Sequence, residues 1–287
     1  MSLQEPQSRV LLVTVHFKAT DGVLKLLHSL QRLREFSKVD VMIVDNASGE
    51  EHLSSIRGAL AQIPNAELLE SLTNRGYFGA ARFGFDNYLA QGHGLPDWVI
   101  VCNHDVLIED EGFVEKLLAC DPAVAGVLGP KITLFSQAIE QNPFMKQRPG
   151  SWRRFTMRVY SAAYPLAVIW DWFSRRKRAF TRRIPTWISR PEKDNSRQPI
   201  YAAHGSFMIF SRTFFEAGGK LDGQLFLFGE EIAVAEICRE LGLSVIYEPF
   251  LAVLHNEHQS VGNGMSRRMY SYHRAAVRHV LSKYLTS

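Results

Sequence analysis

Asp97-Trp98-Val99-Ile100-Val101-Cys102-Asn103-His104-Asp105-Val106 is an apolar run that stops abruptly at polar side chains able to bind a metal. An apolar run of this length fits a parallel strand buried on both faces, and in open α/β sheets ligands bind outside the carboxyl ends of such strands. The stretch therefore reads as a strand delivering Asp105 to a site. A carboxylate there can hold a hard divalent cation, which in turn holds a diphosphate. A local reading competes with this one, in which Asp105 shapes a turn or caps the helix beginning near Glu111.

Upstream of this run, Val10 to Val15 reads as a strand, and the spacing of Val23, Leu26, Leu27, Leu30 and Leu33 predicts a helix. Val39 to Val44 is a second apolar run, ending in the turn formers Asp45-Asn46-Ala47-Ser48-Gly49 before a helical stretch from Glu51 to Gln62. This βαβα rhythm predicts parallel strands joined by right-handed crossovers. Asp45, at a strand end, can bond a ribose hydroxyl or a base edge, or simply form an Asx turn. Glu67 to Leu72 is a short third strand, followed by Thr73-Asn74-Arg75-Gly76-Tyr77-Phe78-Gly79-Ala80-Ala81-Arg82-Phe83-Gly84. Small residues there allow close backbone approach, and Asn74 and Arg82 offer donors for phosphate.

At 287 residues and 46% hydrophobic, the chain can bury one large core, which favours one α/β domain with appendages. Cys102, Cys120 and Cys238 are scattered without CxxC spacing, which argues against a disulfide framework or a structural zinc site and favours a reducing compartment. Met1 to Arg9 is polar, so no secretory signal is expected.

The net charge of +4 conceals an asymmetry. Twelve basic residues lie between Lys146 and Arg190 against the single acid Asp171, a local +11 beside −7 for the rest of the chain. Trp152, Trp170, Trp172 and Trp187 fall in the same window. The apolar stretch Tyr160 to Trp170 is shorter than the roughly 20 residues that span a bilayer, so it reads as an interfacial amphipathic element. Each basic residue near an anionic leaflet contributes about 1 kcal/mol, which makes the inner face of the cell membrane a natural partner. A solvated basic face with core tryptophans is the alternative. No nucleic-acid motif accompanies the charge, and nucleic acid is not expected as a partner.

Downstream, Ala202-Ala203-His204-Gly205-Ser206 leads into the strand Phe207 to Phe210. Gly218-Gly219-Lys220-Leu221-Asp222, the aromatic run Phe226-Leu227-Phe228 and Gly229-Glu230-Glu231 then open a helix from Ile232 to Leu241. Glu230 and Glu231 suit either a helix N-terminus or a desolvated general base. Leu243 to Pro249 gives a last strand, with His255 beyond it as a second metal ligand or a structural histidine.

In combination these motifs resemble family 2 glycosyltransferases of the GT-A fold, in particular the rhamnosyltransferase-like branch of bacterial polysaccharide assembly. The resemblance rests on Val44-Asp45-Asn46-Ala47-Ser48, Asn74-Arg75-Gly76-Tyr77, Asn103-His104-Asp105, His204-Gly205-Ser206-Phe207-Met208, Gly219-Lys220-Leu221-Asp222, Phe228-Gly229-Glu230-Glu231, and His255 with Ser260. It covers roughly Val10 to Val127 and Ile200 to Tyr284. It implies an α/β GT-A domain with a mostly parallel central sheet flanked by helices. Residues 1–133 would form the nucleotide-sugar half, 134–199 a basic aromatic insertion contacting membrane or acceptor, and 200–287 the acceptor-binding and catalytic half.

The resemblance further implies that Thr14, His16, Asp45, Asn74, Gly76, Arg82 and Asn103 bind the nucleotide of a dTDP- or UDP-sugar. Asp105 and His255 would hold a divalent cation, Mg2+ or Mn2+. His204, Gly205 and Phe228 would bind a glycan or lipid-linked acceptor. Glu231, beside Glu230, would deprotonate the acceptor hydroxyl, giving inversion by a single displacement. The chain departs from the family at Glu231, usually Asp, at Ala233, usually acidic, at Ile237, usually Arg, and at Arg82, where Asn is common. An alternative from another class is a non-catalytic sugar-nucleotide or glycan-binding member of an assembly complex.

Overall fold

Alternation of buried strands with one-sided helices builds the first half of the molecule. The computed structural model describes residues 9–135, 139–169, 195–256 and 266–286. Strands β1 (Val10–His16) and β2 (Val39–Asp45) are buried almost throughout, as continuous apolar runs should be when both faces are covered. Helix α1 (Thr20–Gln31) turns Val23, Leu26, Leu27 and Leu30 onto one face of them. After α2 (Ser54–Leu60) and β3 (Ala66–Glu70), α3 (Tyr77–Ala90) covers the opposite face. Gly84 sets that approach, since a Cβ there would come 2.6 Å from Val44 Cγ2.

The central run forms β4 (Trp98–Asn103), followed by β5 (Val106–Leu107), α4 (Phe113–Leu118), β6 (Val127–Leu134) and β7 (Ile139–Glu140). Next come α5 (Ser151–Ala162), a helical stretch at 164–169, β8 (Gln198–Ile200), β9 (Phe207–Ser211) and α6 (Arg212–Glu216). Helix α7 (Glu230–Glu240), β10 (Val245–His255) and α8 (Arg267–Lys283) complete the chain.

The strands form one sheet in the order β3-β2-β1-β4-β9-β6-β10-β5, with β7 on β6 and β8 on β10. Strands β3, β2, β1 and β4 are mutually parallel. Strand β9 is antiparallel to both β4 and β6, and β10 is parallel to β6. Two reversals restore the direction, so β10 runs the same way as β4 and their carboxyl ends share one edge. In register, His16 lies opposite Asp45 and Val15 opposite Asn103. The edge that carries Asp45 and Asn103 therefore also carries His255, from a strand distant in sequence.

Two expectations are refined. Residues 1–133 and 200–287 interleave, because β9 lies between β4 and β6. The last strand does not stop at Pro249: its ladder with β6 breaks between Glu248 and Ala252 and then resumes as far as His255. Proline cannot donate to a ladder, so the chain bulges there and pairs again beyond it. The insertion is sewn into the sheet through β7 and β8 and through a bridge between Met145 and Ala202. Its residues Trp170, Trp172, Arg175 to Arg183 and Trp187, like Ser260, lie outside the described residues.

Candidate active site

Asp105 sits in the turn after β4, and its carbonyl accepts the Asn256 amide at 2.8 Å, which ties that turn to the end of β10. His255 Nε2 lies 3.2 Å from Asp105 Oδ1, with both side chains nearly buried. Neither atom is aligned for a hydrogen bond, and neither has another hydrogen-bond partner. The other ring nitrogen, Nδ1, lies 2.7 Å from Gln141 Oε1. An amide oxygen can only accept, so Nδ1 carries a proton, and Nε2 is the nitrogen left facing Asp105. Burial alone would raise the Asp105 pKa, but the facing His255 and nearby His104 outweigh it and hold the carboxyl below its ordinary value.

Two orphaned buried donors, one of them oriented by an amide behind it, fit a divalent cation. Among the described residues no cluster of three or more His, Cys, Asp or Glu could hold a metal by itself. Such a cation would therefore complete its shell with substrate oxygens and water, as hard cations bound to diphosphates do.

His204 stands beside this pair, its ring centroid 6.2 Å from that of His255. Its amide donates to Asn142 Oδ1 at 2.8 Å, and its Nδ1 lies 2.9 Å from Ser206 Oγ. Burial and then the charge of His255 push its pKa down to about 4, so the ring is neutral at physiological pH.

Next to His204, Gly205 meets the first turn of α7, which presents Glu230 and Glu231. The Gly205 amide points at Glu231 Oε1 from 3.4 Å, and a Cβ at Gly205 would come 3.0 Å from that same oxygen. Tyr77 closes the chain by donating its hydroxyl to the Gly205 carbonyl at 2.9 Å. Glu230 is buried, with Oε2 unpartnered. Burial raises the pKa of both carboxyls, and the charge of Glu231 raises Glu230 further. The pair therefore holds a proton to higher pH than free glutamates do. Phe228, at φ 72°, precedes them, and the His273 ring of α8 lies flat against it, 3.6 Å between centroids and 8° between planes.

The expected nucleotide residues divide. Thr14 and His16 are fully buried. His16 Nε2 accepts the Ala19 amide at 3.2 Å, so its Nδ1 donates to Asp45 Oδ1 at 2.9 Å, while Asp45 Oδ2 accepts the Ser48 amide at 3.2 Å. Asp45 thus has the Asx-type bonding of the local reading. Asn74 Oδ1 accepts from Asn46 Nδ2 and from the Gly76 amide, both at 3.0 Å, so it braces its own loop. Asn103, at the end of β4, is fixed by its amide donating to the Ser206 carbonyl at 2.9 Å. Arg82 pairs with Asp86 at 3.3 Å on the outward face of α3, where both line a separate cavity of about 580 Å3 with Arg75, Asp222 and Lys283.

Sequence reasoning missed Gln141, Tyr77, Asn46 and His273. Asn46, within a quoted motif, is buried and donates to the Gly76 carbonyl at 3.0 Å, and its Oδ1 accepts the Arg75 amide at 2.7 Å. An asparagine directly after a strand-end Asp carried that signal; Gln141 and His273 had none.

Comparison with known proteins identifies the class. The model of glycosyl transferase family 2 matches residues 11–219, and the chain belongs to that family. Over 271 residues it is 26% identical to N-acetylglucosaminyl-diphospho-decaprenol L-rhamnosyltransferase of Mycobacterium tuberculosis, covering 92% of this chain and 81% of that protein. It also resembles the mannosyltransferase PcManGT of Pyrobaculum calidifontis in complex with GDP-Man and Mn2+, with a TM-score of 0.52 and 15% identity. That match covers 90% of this chain and 62% of the other. S. aureus TarS 1-349 in complex with UDP-GlcNAc gives a TM-score of 0.56 at 12% identity, covering 95% of this chain and 66% of that one. The chain thus spans less than two thirds of each of these two structures. The fold is GT-A, and the protein is a family 2 glycosyltransferase.

Proposed function

We propose that the protein is an inverting, metal-dependent glycosyltransferase that moves a rhamnosyl residue from a dTDP- or UDP-linked donor to a lipid-linked diphospho-sugar at the inner face of the cell membrane. The sugar and the acceptor class follow the M. tuberculosis relative, whose name contains both. The observation that carries the reading is the pairing of Asp105 Oδ1 with His255 Nε2 at 3.2 Å, two buried donors with no other partner, beside the His204–Gly205 segment that meets Glu231.

Asp105 and His255 would hold the cation. When bound, the cation absorbs the charge that develops on the departing diphosphate. Glu231, at the start of α7, accepts the proton of the acceptor hydroxyl as that oxygen bonds to the anomeric carbon. The bond from that carbon to the diphosphate breaks on the opposite face, so the configuration inverts and a nucleoside diphosphate leaves. A raised pKa suits Glu231 to this work, because a base is most effective when its pKa lies near the working pH. Glu230, buried behind it, shares the proton of the pair, which limits the site to one negative charge at neutral pH. Neutral His204 adds no positive charge beside the cation.

Calorimetric titration of dTDP, UDP and GDP with and without Mn2+, into wild type and Asp105→Ala, tests the reading together with a transfer assay. Metal-dependent binding of one nucleotide that is lost in the variant, and turnover with an inverted product, is the expected result. Metal-independent binding without turnover on any donor would move the protein to the non-catalytic class.

A further inference from the structure

Helix α5 has two unlike faces. Inward, Met157 packs against the cluster of Leu225, Ala233, Ala276 and Val280, and Ser161 is buried. Tyr160 meets Tyr270 and His273 edge-on at 6.2 and 6.1 Å. Outward, Trp152 is 76% exposed and Phe155 52% exposed, their rings stacked at 5.7 Å. The helical stretch that follows adds Leu166 and Ile169, also exposed. Helix surfaces facing water ordinarily carry charge where these side chains stand. The charges present are all of one sign: Arg153 and Arg158 are exposed beside the aromatic pair, and the sequence has no Asp or Glu from Lys146 to Ile169.

We propose that this face of α5 and residues 164–169 is the surface by which the protein lies on an anionic lipid bilayer. Tryptophan, phenylalanine and branched aliphatics bury into the headgroup and acyl boundary while arginines meet phosphates, the composition that distinguishes an interfacial helix from a core helix. Charge complementarity selects the occupant. A second copy seated by two-fold symmetry would set the same basic stretches against each other. Residues 170–194 carry eight basic side chains against three acidic ones, so they add to the positive charge of this face instead of neutralising it. A nucleic acid would satisfy the arginines but not Leu166 and Ile169.

The inner face gives this position meaning for catalysis. Tyr160 touches His273, which stacks on Phe228, two residues before Glu230. The lipid-facing helix thus stands two side chains from the turn that carries the proposed base, where an acceptor anchored in the same bilayer would arrive. The inference rests on the membrane-linked acceptor of the proposed function, but it is tested without turnover.

Full-length protein is floated with phosphatidylcholine vesicles and with phosphatidylcholine vesicles enriched in phosphatidylglycerol, at low and high salt. Wild type should rise with the anionic vesicles only, and less so at high salt. Trp152→Ser with Phe155→Ser should reduce flotation about tenfold or more, and Arg153→Gln with Arg158→Gln should remove the preference for anionic lipid. Both variants should keep the wild-type melting temperature and dTDP or UDP binding, because neither pair touches the proposed site. Undiminished flotation of the aromatic variant overturns the inference, as does failure of wild type to float. So does a wild-type dimer in light scattering that the aromatic variant dissolves. If no nucleotide binds while flotation behaves as stated, the functional reading falls and the surface stands.

Discussion

The Gln141 side-chain oxygen and His255 Nδ1 lie 2.7 Å apart, Gln141 directly following β7 and His255 closing β10. That contact fixes which nitrogen of His255 faces Asp105. An oriented, protonated Nδ1 also makes Nε2 a stronger donor to a cation.

Replacing Gln141 by Leu should therefore weaken Mn2+-dependent nucleotide binding by roughly 10- to 100-fold, the usual effect of losing a group behind a metal ligand. Gln141→Glu keeps an acceptor and should restore most of the affinity. Titration of Mn2+ at saturating nucleotide, followed by calorimetry, checks both. Equal affinities for wild type and Gln141→Leu would show that the ring is held by its strand alone.

Gly76 opens α3 at φ 73°, and a Cβ there would come 2.2 Å from the Phe226 carbonyl oxygen, the acceptor of the Tyr77 amide. Both the backbone angle and the lack of space exclude a side chain. Gly76→Ala should cost about 2 kcal/mol or more, since strain and a lost hydrogen bond add. It should also displace the loop braced by Asn46 and Asn74. Chemical denaturation measures the first effect and nucleotide titration the second.

The sequence disclosed strands better than their neighbours. The runs at Val10, Val39 and Trp98 are so apolar that no other structure would bury them, and each ends where the edge of the sheet is. Asp105 was legible for that reason. The meeting of Asp105 with His255 followed only from the family resemblance and not from local pattern, because it depends on β9 and β6 entering the sheet in opposite directions, a long-range pairing with no local signature. Arg82, whose spacing after the glycines suits a phosphate loop, stands on a helical turn that carries it outward to Asp86. Asp45 and His16, both expected at the nucleotide from the resemblance, stand opposite each other in register and bond, a contact that no local pattern announces.

Glu231 and Glu230 share a raised affinity for protons. A general base works only when deprotonated, so kcat should fall as pH drops through the apparent pKa of the pair. That limb should lie above the ordinary glutamate value of about 4.3 and toward neutrality. Glu231→Gln should lower kcat by about 10^2- to 10^4-fold while leaving nucleotide affinity intact. Glu230→Gln should retain turnover and leave the limb raised, because burial raises Glu231 and Glu230 already holds the proton of the pair where Glu231 ionises. A pH profile of kcat in the three proteins decides the matter; a limb that fell to the ordinary glutamate value in Glu230→Gln would mean that the charge of Glu230, and not burial, sets it.

Asp222 ties the Gly219–Asp222 turn to α8. Its Oδ2 accepts from the Tyr284 hydroxyl at 2.6 Å, pairs with His279 Nε2 at 2.7 Å and accepts from Lys283 Nζ at 3.0 Å. Burial alone would raise its pKa, but these bonds and the Gln224 amide outweigh burial and hold the carboxyl well below the ordinary range. A carboxyl depressed in the folded state contributes stability above its unfolded pKa of about 3.9, and that contribution is lost as pH falls toward the folded value. Asp222→Asn should therefore cost about 2 kcal/mol at pH 7, discounted for the exposure of Lys283, and the gap from wild type should close as both are acidified below about pH 4. Urea unfolding followed across that range measures it. A gap that stayed constant with pH would mean that the variant disturbs the packing of α8 rather than removing its charge partner.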